Sequence, residues 1–127
     1  MRRELPTGTV TLLFSDVEGS TTLLHELGAE AYADVLAEHR RIMRAACTAE
    51  GGVEVDNQGD AFFFAFRSAQ AALAGAQAMT GALAAGRIQV RIGLHTGTPL
   101  VTEDGYVGDD VHLAARVGAS GQTPADP

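Results

Sequence analysis

The segment AFFFAF, residues 61 to 66, places four of the chain's five phenylalanines within six positions. A strand that left such a run open would pair edge to edge with other chains, so these rings are expected in a core and an interface. The residues before it, VEVDNQGD, alternate Val53 and Val55 with acids and then reach Gly59, which can take the positive φ of a tight turn. Two strands joined at NQG are expected, with Asp60 at the root of the hairpin.

The rest of the chain supplies the cover. Residues 9 to 17, TVTLLFSDV, form an apolar run after the turn-prone PTG and read as a strand buried on both faces. From Ala29 to Glu50, the apolar positions Tyr32, Val35, Leu36, Ile42, Met43, Ala46 and Cys47 recur at helical spacing until glycines 51 and 52 stop the pattern. Residues 68 to 85 are alanine-rich, with Ser68 as N-cap and Gly86 as stop, which suits a helix packed closely on a sheet; Gly75 and Gly81 weaken it. RIQVRIGLHTG alternates Ile88, Val90, Ile92 and Leu94 with Arg and Gln, the pattern of a half-buried strand. PLVTEDGYVGDD reads as a loop or short arm, and VHLAARVGA as a short helix with Val111, Ala114 and Ala115 on one side.

Strand, helix, strand, strand, helix, strand is the split βαβ order. It implies an α+β fold with a ferredoxin-like βαββαβ core, an antiparallel sheet with helices on one face, plus a short C-terminal helix. In that arrangement the first and third strands are antiparallel neighbours. The end of the first, carrying Asp16, then meets the start of the third, carrying Asp60.

Length and charge narrow the partners. The 127 residues suit a single domain, 1–127. The formal net charge of −7 repels polyanions, and the nine basic residues, all Arg, form no run, so no nucleic-acid partner is expected. The single cysteine, Cys47, has no partner for a disulfide within these residues and falls on a helical apolar stripe, where a buried, inert thiol is expected. No stretch approaches membrane-spanning length, and MRRELPTGTV lacks the apolar core of a signal peptide, so a cytoplasmic location without membrane contact is expected.

Two aspartates at one sheet end suit a hard divalent cation such as Mg²⁺ or Mn²⁺, which prefers carboxylate oxygens and keeps positions open for phosphate. The EGSTT that follows Val17 offers backbone N–H groups at a helix start, where an anion is favoured. Taken singly, each acid also has an ordinary reading, Asp16 as a helix cap and Asp60 as a turn residue.

FSDVEGST (14–21), GGVEVDNQGDAFFFAF (51–66) and GYVGDDVHLAARV (105–117) together resemble the class III nucleotidyl cyclases, in that family's order and at about its spacings, over nearly the whole chain. The resemblance implies formation of cyclic AMP or cyclic GMP from the nucleoside triphosphate with two Mg²⁺ or Mn²⁺ ions per site. Asp16 and Asp60 would be the metal-binding aspartates, joined by the main chain of Val17, with Glu18, Gly19, Ser20 and Thr21 around the triphosphate. Arg116 matches the arginine that steadies the transition state. The sites of this family lie between two subunits, which implies a homodimer, or a heterodimer sharing one site, and an inactive monomer.

Several positions depart from the pattern. Asp56 stands where a purine-reading lysine is common, and Gly105 where its acidic partner is, with Asp104 beside it. His112 replaces the ribose-orienting asparagine, and the residues end at Pro127, before the family's final pair of strands and a phosphate-contacting lysine. Two readings follow: a cyclase acting on ATP or GTP, or a catalytically degenerate module that binds nucleotide or a partner and regulates it. His25, His39 and His95 receive no role, and Arg40 with Arg41 reads as a solvated helix face.

Overall fold

The computed structural model describes residues 5–103 and 105–108. The expected C-terminal helix, with His112 and Arg116, lies outside the described residues, as does Asp104. The elements are β1 (Val10–Val17), α1 (Ser20–Leu27), α2 (Ala29–Ala49), β2 (Val53–Gln58), β3 (Ala61–Phe66), α3 (Ala69–Leu83), β4 (Val90–Gly97), β5 (Leu100–Thr102) and β6 (Gly105–Val107). The main sheet has the order β2-β3-β1-β4, and each neighbouring pair is antiparallel. This is the mixed α+β arrangement expected, with β1 at the centre.

The phenylalanine run divides its rings between two faces, because successive strand residues point to opposite sides. Phe62, Phe64 and Phe66 join Leu13 and Ile92 under α2 and α3, against Met43, Cys47, Ala72, Ala76 and Met79. Phe63 turns to the other face with Val10, Leu12, Ala65 and Tyr106. Among the described residues that second face carries no helix; β5 and β6 fold over part of it as a separate hairpin. The Tyr106 hydroxyl fixes this hairpin by donating to the Pro6 carbonyl at 2.6 Å.

Phe66 explains two glycines. A Cβ on Gly52 would lie 2.7 Å from the Phe66 ring and 2.8 Å from the Cys47 carbonyl oxygen, and one on Gly75 would lie 3.3 Å from the same ring. Gly75 lowers the intrinsic helicity of α3, yet it lets that helix sit directly on the sheet. Ser68 caps α3 as expected, its Oγ accepting from the Ala71 N–H at 3.1 Å. Cys47 is buried, and desolvation pushes its thiol up to about 12, so it is inert at neutral pH.

The structure departs from the expectation in three places. A separate helix, α1, precedes the long one, because Gly28 at φ 85 breaks the rod between them. The PLVTEDGYVG arm forms the β5–β6 hairpin. Asn57 and Gln58 still pair with Phe62 and Ala61, so the turn is Gly59–Asp60 and Asp60 stands at the hairpin tip. Gly59 takes φ 59 with no positive φ at Asp60, the sign pattern of a type II′ turn. Among the described residues no helix is long and apolar enough to cross a membrane.

Candidate functional site

β1 delivers Asp16 to the rim of the sheet. Val17 beside it is buried with Leu23 and Ile88, so it can offer main-chain atoms only. The Glu18 N–H is taken by the Gln89 carbonyl at 2.8 Å, and Gly19, at φ 64, turns the chain into α1. No side chain caps this helix, so the N–H groups of its first turn remain available to an anion. Glu18, Gly19 and Thr21 are exposed, and Ser20 is half-buried.

Arg91 stands directly opposite Asp16 in the β1–β4 register. Its guanidinium forks onto the carboxylate, Nε donating to Oδ1 at 2.9 Å and Nη2 to Oδ2 at 2.8 Å. Both side chains remain accessible, at 33% and 29% exposure. The hydrogen bonds to Asp16, then its charge, raise the Arg91 pKa; Glu18 and Asp60 add to the effect. One guanidinium therefore feels all three acids of the rim.

On the other side of β1, Ser15 pairs with Phe62, which sets the Gly59–Asp60 turn level with the end of β1. Asp16 and Asp60 thus share one rim although they are distant in sequence. α2 holds the turn from outside. Arg40 donates to the Gly59 carbonyl from Nη2 at 2.8 Å and Nε at 3.3 Å. Asn57 Nδ2 donates to the Gly59 and Ala61 carbonyls at 3.3 and 2.9 Å. The Tyr32 hydroxyl lies near the Ser20 side chain, and its pKa is raised by burial first and by the Asp60 charge second.

The donors at this rim are oxygens, the chemistry of a hard cation. Among the described residues no cluster of three or more His, Cys, Asp or Glu side chains forms. An ion here would rest on two carboxylates, a main-chain carbonyl and ligand oxygens, as Mg²⁺ and Mn²⁺ accept. Arg91 already shows that the Asp16 carboxylate holds a positive charge, so the residues present fit the ion.

On the sheet face opposite α2 and α3 lies a cavity of about 530 Å³ lined by Asp56, Gly105, Phe14, Phe63, Tyr106 and Gln58 among others. Phe14 and Phe63 stack at 4.2 Å on its floor. The register shift between Glu54 and Asp56 marks a bulge in β2 beside it. Asp56 accepts from the Asn57 N–H at 2.9 Å and from Gln58 Nε2 at 3.0 Å. The two positions that the family resemblance makes purine-reading are therefore brought to one cavity.

Sequence reasoning missed Arg91, Arg40 and Tyr32. Arg91 alternates with apolar residues and reads as the wet side of a half-buried strand; only the β1–β4 register reveals its partner. Arg40 reads as a solvated helix residue, and nothing local signals its bond to a turn nineteen residues on. Tyr32 reads as core.

His39, assigned no role from the sequence, is 1% exposed. Neither ring nitrogen meets a partner in good hydrogen-bond geometry, although the Asp60 main chain is close enough to favour the charged ring. Burial dominates and lowers its pKa, with the Asp60 charge opposing. The unfolded chain, with a histidine pKa of about 6.5, then binds more protons than the fold between that value and the lowered one. Stability is full above about pH 6.5 and is lost as pH falls through the folded value. The urea midpoint should drop between pH 7 and pH 5, and His39→Gln should flatten that slope. An unchanged slope in the variant would assign the effect to other groups.

Comparison with known proteins gives the family and the fold. An uncharacterised protein of Mycobacterium tuberculosis is 39% identical over 115 residues, which are 88% of this chain and 39% of that protein. An adenylate cyclase of Lachancea kluyveri is 32% identical over 143 residues, 88% of this chain and 8% of that enzyme. This chain thus spans well under half the length of these curated relatives. A solved structure of an adenylate cyclase from Trypanosoma brucei in its monomeric state superposes with a TM-score of 0.81 at 25% identity, over 95% of this chain and 73% of that one. The family model for the adenylate and guanylate cyclase catalytic domain matches residues 3–124, and the chain belongs to that family.

Proposed function

We propose that this domain is a nucleotidyl cyclase that converts ATP or GTP to the 3′,5′-cyclic nucleotide and pyrophosphate in cyclic-nucleotide signalling. The observation that carries the reading is the meeting of Asp16, Asp60 and the uncapped start of α1 at one rim. Asp16, Asp60 and the Val17 carbonyl would hold two Mg²⁺ or Mn²⁺ ions, which when bound lower the pKa of the ribose 3′-hydroxyl and neutralise phosphate charge. The hydroxyl oxygen bonds to the α-phosphorus as the bond to pyrophosphate breaks.

The chain's own groups do the rest. N–H groups of Gly19, Ser20 and Thr21 face phosphate oxygens, favoured by the helix dipole. Arg91, when released from Asp16, presents a full charge and paired N–H donors suited to a phosphate oxygen. Asp56 and Gly105 line the base cavity, while His112 and Arg116 would orient the ribose and stabilise the transition state. Dimerisation through the sheet face opposite α2 and α3, with a second copy completing each site, belongs to this reading.

A second reading, a nucleotide-binding module without turnover, draws on two features. Both Asp16 oxygens are engaged by Arg91, and Asp56 puts an acceptor where a purine-reading lysine is common. Mass spectrometry separates the readings. Purified protein is given ATP, then GTP, in Mn²⁺ over a range of protein concentrations, with Asp16→Ala as the blank. Cyclic product whose specific rate rises with protein concentration is expected. Its absence where sedimentation shows dimers would overturn the cyclase reading, and Mn²⁺-dependent nucleotide binding without product would establish the second.

A further inference from the structure

We infer that Arg40 is a positioning residue that presets Asp60 for its cation, by gripping the Gly59 carbonyl from α2. The inference rests on the cyclase reading of the rim and adds to it a residue outside the site that tunes metal affinity.

The geometry is specific. Carbonyls at a hairpin tip ordinarily turn to water. Here the Gly59 oxygen receives two N–H donors of one guanidinium, at 2.8 and 3.3 Å, and a third donor from Asn57. A planar fork on one acceptor fixes both the position and the tilt of the peptide that leads into Asp60. One helical turn further on, Arg44 fastens the same hairpin: its Nε and Nη2 donate to Glu54 at 2.8 and 3.2 Å, and its guanidinium lies 5.3 Å from the Phe62 ring centroid. One turn of α2 thus runs along β2 as far as the tip, and Arg40 acts at the residue before Asp60.

The other end of α2 reaches the phosphate side. Tyr32, two turns before Arg40, lies near the Ser20 side chain and within the field of both Asp60 and Arg40. One helix therefore spans the two halves of the rim. Ordering a flexible carboxylate is part of the cost of binding an ion, and a preset one avoids it. Partners one shell beyond the ligands typically change metal affinity by about 10- to 100-fold when removed.

The test is Mn²⁺ affinity followed by loss of the free-ion electron paramagnetic resonance signal, without nucleotide or turnover. Wild type, Arg40→Ala, Arg40→Lys, Arg41→Ala and Asp60→Ala are compared, with thermal melts alongside. The Arg41 side chain pairs with Glu38 on the same helix and is exposed, which makes it the surface control. Arg40→Ala is expected to weaken Mn²⁺ by about tenfold, Arg40→Lys by less because a single ammonium replaces the fork, and Arg41→Ala not at all. Wild-type affinity in Arg40→Ala, with affinity lost in Asp60→Ala, would overturn the inference alone. Wild-type affinity in Asp60→Ala, or no binding by the wild type, would overturn the metal reading and the inference with it. If Arg40→Ala fails to fold, Arg40→Lys decides: affinity equal to wild type at an unchanged melting point overturns the proposal.

Discussion

Alanine in place of Asp16 is expected to lower cyclic-product formation by on the order of a thousandfold, with little change in the melting curve. The expectation follows from what the carboxylate touches. Its partner among the described residues is Arg91, at the accessible rim, and exposed ion pairs contribute little to stability. Its proposed task is to hold the cations that offset triphosphate charge and activate the ribose hydroxyl. Removing it also leaves the Arg91 guanidinium without its fork partner. Product rates measured in saturating Mn²⁺, beside a circular-dichroism melt, check both halves. Activity within tenfold of the wild type would remove Asp16 from the chemistry, and a collapsed melt would make it a structural residue.

The largest stability effect is expected at Phe66. Its ring is fully buried, seated against Gly52 and Gly75 and 6.5 Å from the Phe64 centroid. Phe66→Ala should cost about 3–5 kcal/mol, since the apolar transfer is lost and a cavity remains. Relaxation is restricted there, because the glycines that line the ring have no side chains to move into the gap. Total stability for a domain of this size is about 5–15 kcal/mol, so the variant should be near the edge of folding at room temperature. Urea unfolding measures the loss directly. A cost below about 1 kcal/mol would mean that α3 settles onto β3 and fills the space.

How much of this was legible depends on whether a signal is local. The β1 strand, α2, the β2–β3 hairpin and α3 carry their own periodicities and punctuation, and the strand order follows from their succession. The division of the Phe62–Phe66 rings across two faces follows from strand geometry alone. α1 reads only as a helix start at EGSTT and has no place in the expected element order, because eight residues carry too short a periodicity. At the site, Asp16 and Asp60 were readable because split βαβ topology forces their strand ends together. Arg91 required the residue-by-residue pairing of β1 with β4. Arg40 required the placement of α2 over the hairpin, which no spacing within the helix encodes. The local pattern that marks a helix face as polar cannot say which of its cations will find a carbonyl.

β1 has strand neighbours on both flanks, whereas the turn bearing Asp60 is reached through the outermost strand and secured chiefly by side chains. Amides near Asp16 consequently belong to the last part of the domain to exchange with deuterium, and those of the Gly59–Asp60 tip to the first. One half of the site is anchored in the slowest-opening region while the other half hangs from the quickest. Fraying of the margin therefore disarms the rim long before the interior gives way.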